Sequence, residues 1–285
     1  MFSLFKKKTK QPPASDPDGS ATTQKLPQKT LEQPKPKTEE ADREPKAPVE
    51  VYNLQGIGDR SEQQDSFGFS PLEEFPAQGL LAILCDGMGG MAEGGRISRE
   101  VTAQLLSIYP WEEDSRMLSA IGEATGHIYR QFMGQGGTTL VAVRIVEKEL
   151  SFWCVGDSDL FLLRDGVLYA LNERQEYRNT LIKKALDGLI PLQAAFLDPQ
   201  GGSLSEYIGK EQTSPDYTKR SLALRERDVL LLCSDGVSDT LSFAQLKEAL
   251  SMDAPLDTIC EEMERRILEA GKPGQDNYTA IVVRI

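Results

Sequence analysis

From Val51 onward the chain alternates between two kinds of apolar pattern. Short runs rich in β-branched, aromatic and leucine residues stand at 66–69, 80–85, 138–145, 150–155, 160–163, 221–224, 229–233 and 278–285. Each is strand-length and bounded by turn residues, as at Arg164-Asp165-Gly166. Apolar residues spaced by three and four predict helices at about 97–107, 113–132, 243–250 and 256–269. The early helices are neighbours in sequence, and so are the late ones. Strands follow strands through short turns, without the strand–helix alternation of a parallel sheet. The class expected is α+β, with sheets packed together and helices outside. Residues 172–215 are weakly periodic and rich in Gly, Pro and Gln, too long for a plain loop, and are expected to form a flap subdomain.

The first fifty residues differ. They hold 8 of the 16 prolines and a net charge of +2, against -14 for the rest. Their Pro, Lys, Gln and Thr mixture buries too little surface to offset chain entropy, so residues 1–50 are expected to be a disordered arm preceding a domain over 51–285. Phe2, Leu4 and Phe5 beside Lys6–Lys8 form one small apolar and basic patch. A solvated tail is expected there rather than membrane contact, because a patch this short binds membranes weakly. The start also lacks the charge-then-apolar order of a secretory signal, and no run of about 18 apolar residues occurs. The net charge of -12 argues against nucleic acid as a partner. Cys85, Cys154, Cys233 and Cys260 have no paired metal or redox spacing and read as buried thiols, which fits a reducing cytoplasm.

The chemistry lies where strands end. The runs 80–85, 152–155 and 229–233 lead into Asp86-Gly87, Gly156-Asp157-Ser158-Asp159 and Ser234-Asp235-Gly236. Asp65 precedes one strand, and Asp276-Asn277 precedes the last. Any one of these is an ordinary turn pair. Together they imply several carboxylates at the ends of buried strands. Such a set repels itself and loses water unless a divalent cation neutralises it. Oxygen ligands alone favour Mg2+ or Mn2+.

The order Gly58-Asp59-Arg60-Ser61-Glu62-Gln63-Gln64-Asp65-Ser66, Asp86-Gly87-Met88-Gly89-Gly90, Gly137-Thr138-Thr139, Gly156-Asp157-Ser158, Ser234-Asp235-Gly236 and Asp276-Asn277-Tyr278-Thr279 resembles the metal-dependent protein phosphatases of type 2C, in their bacterial form. The resemblance covers about 51–285. It implies a central antiparallel β-sandwich flanked by helix pairs, with a flap beside the site. It further implies hydrolysis of phosphoserine and phosphothreonine on proteins by a metal-activated water, using two Mn2+ or Mg2+ ions and a third, weaker one. By that resemblance Asp86 bridges two ions, the Gly87 carbonyl joins one, Asp235 and Asp276 hold the first, Asp65 lies near the second, and Asp157 helps hold the third. Arg60 would grip the substrate phosphate, for which a planar guanidinium fork is suited.

Four positions depart from the family pattern. Gln63-Gln64 stand where Asn-Glu is common, Met88 replaces the His of eukaryotic relatives, and Asp159 replaces an Arg that often follows Gly-Asp-Ser. The lone His127 lies inside a predicted helix and reads as structural. Gly134-Gln135-Gly136-Gly137 lacks the Lys and Ser or Thr of a nucleotide loop and reads as the approach to a strand. The expected partners are phosphorylated proteins, with a cognate serine/threonine kinase or its targets. Two other functions fit the same residues: a phosphatase-like binding or regulatory module that has lost turnover, and a phosphatase acting on a partner-switching sigma-factor regulator.

Overall fold

Strands apolar at every position must be covered on both faces. In the computed structural model, which describes residues 49–88, 93–111, 113 and 115–285, the segment Leu80–Asp86 meets that demand. Leu80, Ala82 and Leu84 enter a layer between two sheets, while Leu81, Ile83 and Cys85 face helices. The split follows from the two-residue period of a strand.

In chain order the strands are β1 (Glu50–Gly56), β2 (Asp65–Phe69), β3 (Leu80–Asp86), β4 (Leu140–Val146), β5 (Glu149–Val155), β6 (Asp159–Arg164), β7 (Val167–Ala170), β8 (Asp216–Tyr217), β9 (Leu222–Ala223), β10 (Val229–Cys233) and β11 (Tyr278–Arg284). One sheet runs β1-β11-β10-β6-β7, and the other β2-β3-β4-β5-β8 with β9 also on β5. The strand pairs within both sheets are antiparallel. The helices are α1 (Phe75–Gln78), α2 (Gly94–Leu106), α3 (Ser115–Phe132), α4 (Tyr177–Leu186), α5 (Leu192–Leu197), α6 (Asp235–Ser238), α7 (Phe243–Leu250) and α8 (Leu256–Ala270).

Three apolar layers hold these elements together. Between the sheets, Leu80, Val143 and Phe152 share a core with Leu160, Leu162, Leu230, Leu232, Ile281 and Val283. Outside the first sheet, Phe161, Leu231 and Val282 pack on α7 and α8 through Leu246, Ile259, Met263 and Ile267. Outside the second, Ile83, Leu140 and Trp153 pack on α2 and α3 through Ile97, Val101, Ile121 and Ile128. The result is the antiparallel sandwich between helix pairs expected from the sequence. The four helices predicted from periodicity are α2, α3, α7 and α8. The start of α7 is set locally: the Ser242 hydroxyl accepts from the Gln245 N–H, and the Gln245 side chain accepts from the Ser242 N–H.

Several expectations need correction. Of the arm expected over residues 1–50, residues 1–48 lie outside the described residues, while Val49 is buried between the sheets and Glu50 opens β1. β1 carries little apolar signal because it is an edge strand whose only fully buried side chain is Leu54. The run at 138–145 becomes β4 only from Leu140, and the run at 221–224 shortens to β9. Residues 172–215 contain α4 and α5, whose buried residues are only Leu181 and Ala195, and this explains the weak periodicity there. Ile208 closes this segment onto the body through an antiparallel bridge to Thr138.

Leu84 is fully buried between the sheets. Leu84→Ala is expected to lower the unfolding free energy by about 2–5 kcal/mol in urea titrations.

Candidate functional site

The ends of β2, β3, β10 and β11 meet at one edge of the sandwich, and the sheet register brings the acids with them. Asp65 and Asp86 are direct partners in the β2–β3 ladder. Asp235 follows the end of β10 by two residues and opens α6, and Asp276 stands two residues before β11. The two chain segments are tied across by Ser234 N–H to the Thr279 carbonyl, 3.0 Å.

The carboxylates interact with one another. Asp86 feels the charges of Asp65, Asp235, Asp157 and Asp276. Burial, then these charges, pushes Asp86 well above the usual carboxylate range. Burial and the charges of Asp239 and Asp276 raise Asp235. Asp65 rises to about 6, chiefly by burial, although hydrogen bonds from Thr279 and Ser234 pull it down. Asp157 rises to about 7, by burial and by the charge of Asp235, with Arg174 opposing. Thus Asp65, Asp86, Asp157, Asp235 and Asp276 share one electrostatic neighbourhood.

Each acid is held by its surroundings. Asp65 Oδ2 accepts from the Ser234 hydroxyl at 2.8 Å and the Thr279 hydroxyl at 2.7 Å. The Asp86 N–H donates to Thr139 Oγ1, and its carbonyl accepts from the Thr138 hydroxyl and the Thr139 N–H. The Asn277 side chain accepts from the Gln64 N–H and donates to the carbonyls of Ile57 and Glu62, fixing the loop before β2. Ser234, Thr279 and Asn277 went unassigned in the sequence reading. Their signal was their place beside the acids, since a buried carboxylate needs donors.

Two oxygens remain without a partner: Asp65 Oδ1 and Asp235 Oδ1, both buried. Among the described residues no three of these acids stand close enough together to hold a metal ion. Asp276 turns instead to Arg60, with Nη2 to Oδ2 at 2.6 Å. Even so, the donor set fits a hard divalent cation: oxygen ligands only, mutually repelling, with buried lone pairs still unused.

Gly87 is required by packing. A Cβ there would sit 2.3 Å from the Gly94 carbonyl oxygen and 2.7 Å from that of Gln64. Met88 packs beside Gly137, and Gly89 and Gly90 lie outside the described residues. His127 bonds Glu100 at 2.7 Å between α3 and α2 and is no part of the carboxylate group. All four cysteines are free and buried.

No protein-family model matches the chain. The serine/threonine protein phosphatase PstP of Mycobacterium tuberculosis is 30% identical over 215 residues, which is 72% of this chain and 40% of that protein. The chain therefore spans well under half the length of this relative. Among solved structures, the S. agalactiae serine/threonine phosphatase superposes with a TM-score of 0.71 at 29% identity, covering 83% of this chain and 99% of that one. The catalytic domain of PstP, solved in complex with two manganese ions, gives 0.66 at 27% identity, covering 83% and 97%.

The chain belongs to the bacterial type 2C serine/threonine phosphatase family. Within that family frame its departures acquire physical reasons. Gln63 donates to the Gly56 carbonyl and accepts from the Asp65 N–H, so it shapes the loop. The Gln64 side chain donates to Glu62 at 2.7 Å in an exposed contact. Asp159 pairs with Arg174 through a bidentate contact, a cation that the sequence reading missed.

The raised acids also set a pH dependence. Their folded-state pKa values lie above the unfolded ones, so between about pH 4 and 7 the metal-free folded protein binds more protons than the unfolded chain. Its stability is therefore expected to fall as pH rises through that window. Melting temperatures in EDTA at pH 5 and pH 7.5 test this: a lower value at pH 7.5 is expected, and Asp157→Asn should narrow the gap.

Proposed function

We propose that this chain hydrolyses phosphoserine and phosphothreonine on proteins, using two Mn2+ or Mg2+ ions. The observation that carries the reading is the set of converging, proton-retaining carboxylates with unused buried oxygens on Asp65 and Asp235. Asp86 would be shared between two ions, with Asp235 and Asp276 on the first, Asp65 and the Gly87 carbonyl completing the pair, and Asp157 serving a third. Bound divalent ions supply Lewis acidity and lower the pKa of a coordinated water toward neutrality.

The chain's own groups do the rest. Ser234 and Thr279 keep Asp65 Oδ2 occupied, which leaves Oδ1 as its free ligand atom. Thr138 and Thr139 fix the Asp86 backbone, so its carboxylate is presented from a rigid strand end. Arg60, about half exposed at the rim, offers its guanidinium to the phosphate oxygens and stabilises charge gathered there during displacement. Met88 has no proton to give, and His127 is engaged by Glu100, so neither protonates the departing serine or threonine oxygen.

The substrates would be targets of serine/threonine kinases. Four free, buried thiols support a reducing cytoplasmic setting. Among the described residues no helix is long and apolar enough to cross a membrane.

Phosphate release from a phosphothreonine peptide should require Mn2+ or Mg2+ and stop with EDTA. Release no greater than that of Asp86→Ala would overturn the reading, and binding of the intact phosphopeptide without turnover would favour a regulatory module. Asp235→Asn is expected to lower kcat by about a hundredfold or more. Arg60→Ala should chiefly raise KM for the phosphopeptide, and unchanged kinetics would remove Arg60 from the site.

A further inference from the structure

One guanidinium at the root of the flap reaches both turns that bear site carboxylates. Arg174 Nε donates to Asp159 Oδ1 and Oδ2 at 3.0 and 3.1 Å, and Nη2 donates to Oδ2 at 2.6 Å. The same Nη2 reaches the Ser238 hydroxyl at 2.7 Å, and Nη1 reaches Asp239 Oδ1 at 2.7 Å. Asp159 lies two residues after Asp157. Ser238 and Asp239 end the short helix that Asp235 begins. The Asp159 and Arg174 side chains are only 10% and 25% exposed, so this pairing is weakly screened, unlike a surface pair.

The flap is fastened at the next residue. The Gln175 N–H donates to the Gly156 carbonyl, and the Gly156 N–H donates to the Gln175 side chain. The Gln175 amide also donates to the Ser214 carbonyl near the far end of the flap, and its own carbonyl accepts from the Ser205 N–H and hydroxyl. The Arg174 carbonyl itself accepts from Asn179 on α4 at 2.6 Å. Both ends of the flap therefore converge on Arg174-Gln175, and that dipeptide is bonded to the turns carrying Asp157 and Asp235.

We propose that Arg174 is a positioning residue that couples the flap to the metal-holding turns, so that ion occupancy at Asp157 and Asp235 and the order of the flap change together. The proposal rests on the reading of the acids as metal ligands. Arg is required because a planar fork can hold Asp159 in two contacts while still reaching Asp239 and Ser238; a Lys ammonium reaches one side or the other.

The flap carries its own reporter. Leu186, Leu189, Phe196 and Leu197 are exposed there and offer cleavage points for chymotrypsin. The experiment measures Mn2+ binding by calorimetry and flap cleavage with and without Mn2+, on the full chain. In the wild type, Mn2+ is expected to slow flap cleavage by about fivefold or more. Arg174→Met should weaken Mn2+ binding by about tenfold and abolish the protection, and Arg174→Lys should restore part of each. The pair Ser238→Ala with Asp239→Asn removes only the half-exposed arm and leaves the Asp159 contacts intact, so it guards against misfolding of Arg174→Met. That pair should lose most of the protection. Wild-type affinity and protection in Arg174→Met, or unchanged protection in the Ser238/Asp239 pair, would overturn the coupling alone. A wild type that binds no Mn2+ would overturn the functional reading as well.

Discussion

Like charges buried together constrain this molecule more than any other feature. Two unit charges 4 Å apart repel by about 4 kcal/mol at an effective dielectric of about 20, and each also loses hydration. Asp65, Asp86, Asp157 and Asp235 answer that demand by retaining protons more readily than free carboxylic acids do. Asp276 answers it by pairing with Arg60. A divalent cation would answer it for all of them at once, which is the physical basis of the proposed metal-dependent function.

Holding such a group requires a scaffold that does not yield. The strands β3, β5, β10 and β11 that deliver most of the acids are buried on both faces, between the sheets on one side and under helices on the other. Interiors packed in this way transmit displacement instead of absorbing it. Hydroxyl and amide groups then trim the geometry: Ser234 and Thr279 on Asp65, Thr138 and Thr139 on Asp86, Asn277 on the loop before β2. The bonds on Asp65 cross from one sheet to the other, since Asp65 belongs to the second sheet and Thr279 to the first. The site is thus built by the contact between sheets and not by either alone.

The departures from the family pattern rearrange charge without emptying the site. Gln63 and Gln64 serve the loop, and the acids remain grouped without them. Asp159 and Arg174 form a mutually satisfied pair at the flap root, so an acid where family members often carry an arginine adds no unpaired charge. The flap itself contributes little to the core, with Leu181 and Ala195 as the buried side chains of its helices. Apart from Ile208, which is buried beneath α2 and α3, its attachment rests on polar bonds, and such segments are drawn from the low-stability end of a fold.

Local pattern was enough to determine the helices α2, α3, α7 and α8, the strands buried on both faces and the acids placed at strand ends, because burial periodicity and turn chemistry act over a few residues. The family resemblance carried by the motif order, not local pattern, implied grouping Asp65, Asp86, Asp157, Asp235 and Asp276. Local pattern was silent on β1, whose pairing with β11 spans the whole domain and whose polar face masks its period. It was equally silent on Ser234 and Thr279 as donors to Asp65 and on Arg174 as the partner of Asp159. Those contacts join residues 15 to 214 positions apart. Only the folded sheets bring them within hydrogen-bond reach, and a hydrogen bond leaves no period in the sequence from which to read it.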